Sequence, residues 1–92
     1  MNSDFITQAV AIVKEAVDFD NAGDYEKAYP LYKRALEYFL TGMKYEKNPS
    51  ARAAISARVT GYMKRAEDLK AVLQEQSSSA QNNGGAPSKG DS

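Results

Sequence analysis

The chain has 92 residues, which bounds it to one small domain. Hydrophobic residues make up 42% and charged residues 26%; twelve Lys and Arg offset twelve Asp and Glu, so no net field draws the chain to nucleic acid or to an anionic membrane. Cys and His are both absent, which excludes a disulfide framework, thiol and Ser-His nucleophiles, and Cys- or His-ligated metal sites.

The longest unbroken apolar run, Ala9 to Val13, is far short of the roughly 20 residues a bilayer span needs. Asp4 stands where a signal peptide would carry its basic region. By subtraction the chain reads as a cytosolic, non-catalytic binding module, with no cofactor and no direct insertion into a membrane. The first predicted helix runs from about Ser3 to Asn21. Phe5, Ala9, Ile12, Ala16 and Phe19 recur at i, i+4, i+7, i+11 and i+14, with Ile6, Val10, Val13 and Val17 beside them. Ser3 or Asp4 can cap its start, and Gly23 ends it. Asp24 is then the natural N-cap of a second helix, with Glu26 in its first turn favoured by the macrodipole.

The second helix carries Tyr25, Ala28, Tyr32, Ala35 and Phe39 on one stripe, and Tyr29, Leu36, Leu40 and Met43 on another. Pro30 removes one ladder bond, but the periodicity continues on both sides of it, which predicts a bend and not a break. Asn48-Pro49-Ser50 resets the chain. A third helix follows from about Ser50 to Gln76, about 40 Å long at 1.5 Å per residue, with Ile55, Val59, Tyr62, Ala66, Leu69 and Leu73 inward. Connections this short make neighbouring helices antiparallel, so the predicted fold is an all-α, up-down-up three-helix bundle over residues 1–76. Ser77 to Ser92 holds no apolar residue larger than Ala or Pro, and reads as a disordered, flexible Ser/Gly/Asn-rich linker in a longer protein.

Several constellations bear on chemistry or recognition. Gly23, Tyr25, Ala28, Tyr32 and Ala35 have the spacing of a tetratricopeptide helix pair, but Leu40 stands where that repeat ends in Pro and no second copy follows. Tyr25, Tyr32, Tyr62, Phe19 and Phe39 fall at core spacing, leaving Tyr29, Tyr38 and Tyr45 half-exposed. The acidic run Asp18, Asp20, Asp24 and Glu26 lacks the ligand spacing of a calcium loop and reads as a solvated, helix-capping cluster. Gly84-Gly85 has no phosphate-loop context. The third helix also bears an outward line of Ser56, Thr60, Met63, Glu67 and Lys70. With Leu40 and Met43 of the second helix, Met63 would border a shallow apolar groove rimmed by Arg58 and Glu67, suited to an amphipathic helix. Spacing alone leaves the alternative even, that Met63 and Glu67 are ordinary exposed residues.

The segments YEKAYPLYKRALEYFLTGMKYEKNP (Tyr25–Pro49) and ARVTGYMKRAEDLK (Ala57–Lys70) resemble the MIT (microtubule-interacting and trafficking) domain, as it occurs in AAA ATPases that disassemble ESCRT-III filaments. The likeness covers about Phe5 to Leu73. It implies a three-helix bundle that binds C-terminal tails of ESCRT-III subunits, monomeric by itself and joined through a linker to a hexameric ATPase recruited to endosomal membranes. Carried over residue by residue, Met63 matches the Leu that fills the groove for a helical, leucine-rich tail motif. Glu67 matches the acid that pairs with that motif's Arg, and Arg58 the base that meets its acid. Val13 matches the apolar contact of a second groove, between helices one and three, for an extended proline-containing motif. Two other classes fit the same residues: an MIT-like domain of another parent, such as a protease, kinase or severing ATPase, and a structural bundle that self-associates through the groove.

Overall fold

Three helices, α1 (Asn2–Asn21), α2 (Tyr25–Tyr45) and α3 (Pro49–Asn83), make up a computed structural model that describes the backbone of residues 2–83 and the side chains of residues 5–77. The order is up-down-up and antiparallel, and no strand occurs among the described residues. The chain is an all-α three-helix bundle. Ser3 and Asp4, the expected caps of α1, fall outside the described side chains, and the part of the expected linker beyond Asn83 lies outside the described residues.

Small residues set the seam between α1 and α2. Ala9 and Ala16 of α1 and Ala28 and Ala35 of α2 are fully buried, and their small side chains let the two backbones approach closely. Gly42 extends the seam: a Cβ on it would lie 2.5 Å from Ile6 Cδ1 and 2.9 Å from Ile6 Cγ1. The core direction of α1 runs between its two predicted stripes. Val13 joins Ala9 and Ala16 in the core, whereas Phe5, Ile12 and Phe19 are half-buried. On α3 the predicted stripe is the observed one, with Ile55, Val59, Ala66 and Leu69 buried and Tyr62 and Leu73 half-buried. Of the five aromatics at core spacing only Tyr32 and Phe39 are buried; Phe19, Tyr25 and Tyr62 are half-buried.

The α1–α2 turn closes as a Schellman motif. The Gly23 N–H donates to the Asp20 carbonyl at 3.0 Å and the Asp24 N–H to the Phe19 carbonyl at 2.8 Å. Gly23 takes φ +80°, the left-handed conformation that a Cβ would strain. Asp24 is the N-cap residue of α2, as expected, but it caps through its backbone carbonyl, which accepts from the Lys27 and Ala28 N–H groups. Its backbone has ψ 75°, short of the extended range that folds a cap side chain over the first turn, and its carboxylate makes no capping bond. It stands 3.8 Å from Lys27 Nζ instead.

α2 runs unbroken through Pro30, whose outward position lets water reach the Glu26 carbonyl it leaves without a donor. Asn48 caps α3, its Oδ1 accepting from the Ser50 N–H at 2.9 Å, with Pro49 as the first helical residue. α3 continues to Asn83, past the expected end at Gln76. No Gly or Pro interrupts the chain between Gly61 and Gly84, and adding a residue to an existing helix is far easier than starting one. α2 packs on both neighbours, while the backbones of α1 and α3 make no close approach among the described residues.

Candidate functional site

Two contacts settle which way each flank of the outer helices faces. The Tyr62 ring of α3 stacks on Phe39 at 5.7 Å and on Tyr32 at 6.2 Å, which seats α3 on α2. Arg65 reaches Asp20 of α1, so the Arg65 flank of α3 is the flank towards α1. Met63 and Glu67 stand two residues to either side of Arg65 and so lie about 160° away from it, at about 100° per residue. On α2, Gly42 faces Ile6 and Phe5 of α1. Leu40, two residues earlier, likewise lies about 160° round from Gly42. Leu40 and Met63 therefore share one face, between α2 and α3 and turned away from α1.

Exposure supports that placement. The exposed large apolar side chains among the described residues are Leu40 at 44%, Met63 at 45% and Tyr45 at 50%, and two of the three lie on this face. Tyr45 instead stacks on Phe5 at 6.1 Å. Met43 is half-buried, Leu36, Phe39 and Val59 are buried, and Glu67 is exposed one turn after Met63.

Arg58 stands elsewhere. It is exposed, but it precedes Arg65 by seven residues and so lies within about 20° of it, on the flank towards α1. Nine residues separate Arg58 from Glu67, or about 180°, so the two expected rim charges do not share a rim. Arg58 borders the channel between α1 and α3. Val13, placed by resemblance in that channel, is only 5% exposed and offers a ligand no more than its edge. Val10 and Val17 are half-buried, and Val10 stands about 160° from Ile12, which faces the opposite side of α1.

Asp20 departs from the expected solvated cluster. Its side chain is 11% exposed and receives two bonds from Arg65, Nε to Oδ2 at 2.7 Å and Nη2 to Oδ1 at 2.6 Å. The Tyr32 hydroxyl donates to the same Oδ2 at 2.9 Å. The Arg65 bonds hold the Asp20 carboxyl below the ordinary value of 3.8, against the opposing effect of burial. Burial, and then the bond to that carboxylate, push the Tyr32 hydroxyl up to about 12. Arg65 in turn is held more firmly protonated by its bonds to Asp20, and its guanidinium lies 5.9 Å from the Tyr25 ring centroid. One sequence signal points to such a network: a tyrosine on a core stripe must find an acceptor for its hydroxyl. Which of several nearby acids supplies it depends on the packing of α3, far away in the chain.

Two hollows open elsewhere. One, of about 330 Å³, lies between α1 and α2 against Ile12, Leu31 and Tyr38; the other, of about 540 Å³, lies on the outer face of α2 around Pro30. Neither is bordered by Met63 or Glu67. Among the described residues no group of three or more Asp and Glu is placed to hold a metal ion, and no helix is long and apolar enough to cross a membrane.

The family model of the MIT (microtubule interacting and transport) domain matches residues 6–71. Protein SUPPRESSOR OF K(+) TRANSPORT GROWTH DEFECT 1 of Arabidopsis thaliana is 55% identical over 86 residues, 94% of this chain and 20% of that protein. Vacuolar protein sorting-associated protein 4 of Dictyostelium discoideum is 44% identical over 69 residues, 75% of this chain and 16% of that protein. Serine/threonine-protein kinase ULK3 of Rattus norvegicus is 43% identical over 68 residues, 74% of this chain and 14% of that protein. The chain thus spans a fifth or less of the length of these relatives.

Proposed function

This chain belongs to the MIT family, and from that premise we propose that it is a recruitment module for C-terminal tails of ESCRT-III subunits, delivering an AAA ATPase to their polymers on endosomal membranes. The observation that carries the reading is the pairing of exposed Leu40 and Met63 on one face of α2 and α3, with the Glu67 carboxylate one turn beyond Met63. A helical tail motif lying there would bury its leucines against Leu40, Met43 and Met63 and set an Arg against Glu67. A few buried leucines on a shallow surface give about −7 to −8 kcal/mol, or micromolar affinity. Weak single contacts suit a hexameric parent, because several modules on one polymer multiply the effective affinity.

An extended tail motif fits the second surface, between α1 and α3, where half-buried Val10 and Val17 flank Val13 and Arg58 supplies a base for an acidic residue of the ligand. A parent of the vacuolar sorting type is favoured by the identity to the Dictyostelium protein, although the match to a kinase shows the same module on another parent. Titration of labelled ESCRT-III tail peptides, followed residue by residue by NMR, tests both surfaces. Met63→Asp is expected to abolish binding of the helical motif with the cooperative melt intact, because a charge would stand where leucines must be desolvated. Retained binding, or a lost melt, would count against the groove.

A further inference from the structure

Between α1 and α3 no close backbone approach occurs among the described residues, so the space between them is set by what α2 holds apart and by side chains that cross it. The Arg65 fork on Asp20 is such a crossing, bidentate at 2.6 and 2.7 Å. Bidentate geometry fixes orientation as well as distance, which a single lysine contact would not do. Tyr32, 3% exposed and rooted in α2, donates to the same carboxylate and ties the crossing to the central helix. Asp20 lies in the last turn of α1, so the crossing closes the channel at the end nearest the α1–α2 turn. Arg58, on the same flank of α3 two turns earlier, is exposed.

We infer that Asp20, Arg65 and Tyr32 form a positioning clip that sets the spacing of α1 and α3, and so governs how tightly the channel between them holds an extended peptide. This rests on the recruitment reading above. The clip stands on the opposite flank of α3 from Met63, so it leaves the α2–α3 groove alone. Asp20→Asn removes the charge and keeps the shape. It is expected to weaken an extended, proline-containing ESCRT-III tail peptide about five- to tenfold, the scale of coupling between linked sites, and to change a helical, leucine-rich tail peptide by less than about twofold. Tyr32→Phe keeps the ion pair and is expected to have a smaller effect in the same direction.

A peptide-free measurement separates the clip from the recruitment reading. The chain has no Cys, so Lys14→Cys and Lys64→Cys, at exposed positions on α1 and α3, accept paired nitroxide labels cleanly. The label–label distance distribution should broaden when Asp20→Asn is added, at a temperature where both proteins are folded. An unchanged distribution overturns the clip whichever peptides bind, and so does an equal loss of both peptides, which would mark the pair as structural only. If neither peptide binds the parent while the distribution still broadens, the recruitment reading fails and the spacing role of the clip stands.

Discussion

Removing either end of the Asp20–Arg65 pair should destabilise the bundle, and unequally. The Arg65 side chain is 41% exposed and can swing into water when its partner is gone, whereas the Asp20 side chain is 11% exposed and cannot. Exposed pairs contribute about 0–1 kcal/mol, and breaking a fully buried one costs about 3–5. This pair lies between those limits. Asp20→Asn should cost about 1–2 kcal/mol, part of it from the weaker acceptor left for the Tyr32 hydroxyl. Arg65→Met strands a nearly buried carboxylate and should cost about 2–3 kcal/mol. In a domain of this size that lowers Tm by about 10–20 °C, readable by far-UV circular dichroism. The double variant should show a coupling of about 1–2 kcal/mol. Acid supplies an independent check. Because the folded-state pKa of Asp20 is held below its ordinary value of 3.8, the stabilisation is complete above that pH and is lost as pH falls through the lowered value. The stability gap between parent and Asp20→Asn should therefore be constant from about pH 5 to 8 and shrink below about pH 4. Coupling under about 0.5 kcal/mol, together with a gap that ignores acid, would refute an energetic role for the pair.

Glu67→Ala should weaken a helical tail peptide by roughly five- to thirty-fold, at about 1.4 kcal/mol per tenfold, and should flatten the salt dependence of binding; equal salt slopes would make Glu67 a bystander. Reversing the peptide's Arg should partly restore binding to Glu67→Arg. Gly42→Ala should lower stability by about 1 kcal/mol despite the helix propensity it adds, since its Cβ meets Ile6. Combining it with Ile6→Val, which removes the Cδ1 atom 2.5 Å away but leaves Cγ1 at 2.9 Å, should recover only part of that loss in urea titrations.

A 3.6-residue period in the sequence marks the helices, the inward stripe of α3 and the exposure of Ser56, Thr60, Met63, Glu67 and Lys70, because one-sided burial on a regular helix leaves a regular trace. It fails where position depends on a partner helix. Gly42 looks like an accident in α2 until Ile6 is seen against it. Asp20 is one acid of four in a short run, and only the fall of α3 across α1 selects it for Arg65. Arg58 and Glu67 read from spacing as two charges on one rim, although nine residues of helix put them on opposite flanks. Asp24 has the right residue type and place for a cap, but the Schellman closure before it claims its backbone geometry.

The central place of α2 bears on how the domain opens. α1 and α2 form a hairpin of short loop closure, whereas α3 is held by its seam on α2 and by the clip. Such an arrangement divides into two cooperative units of unequal stability. Amide protons of α1 and α2 should exchange at one common free energy, and those of α3 at a lower one, through openings in which α3 lifts away while the hairpin persists. Each lifting would uncover the hydrophobic floor of both proposed peptide surfaces at once. A tail bound across α3 on either flank would then slow exchange throughout that helix, well beyond the residues it touches.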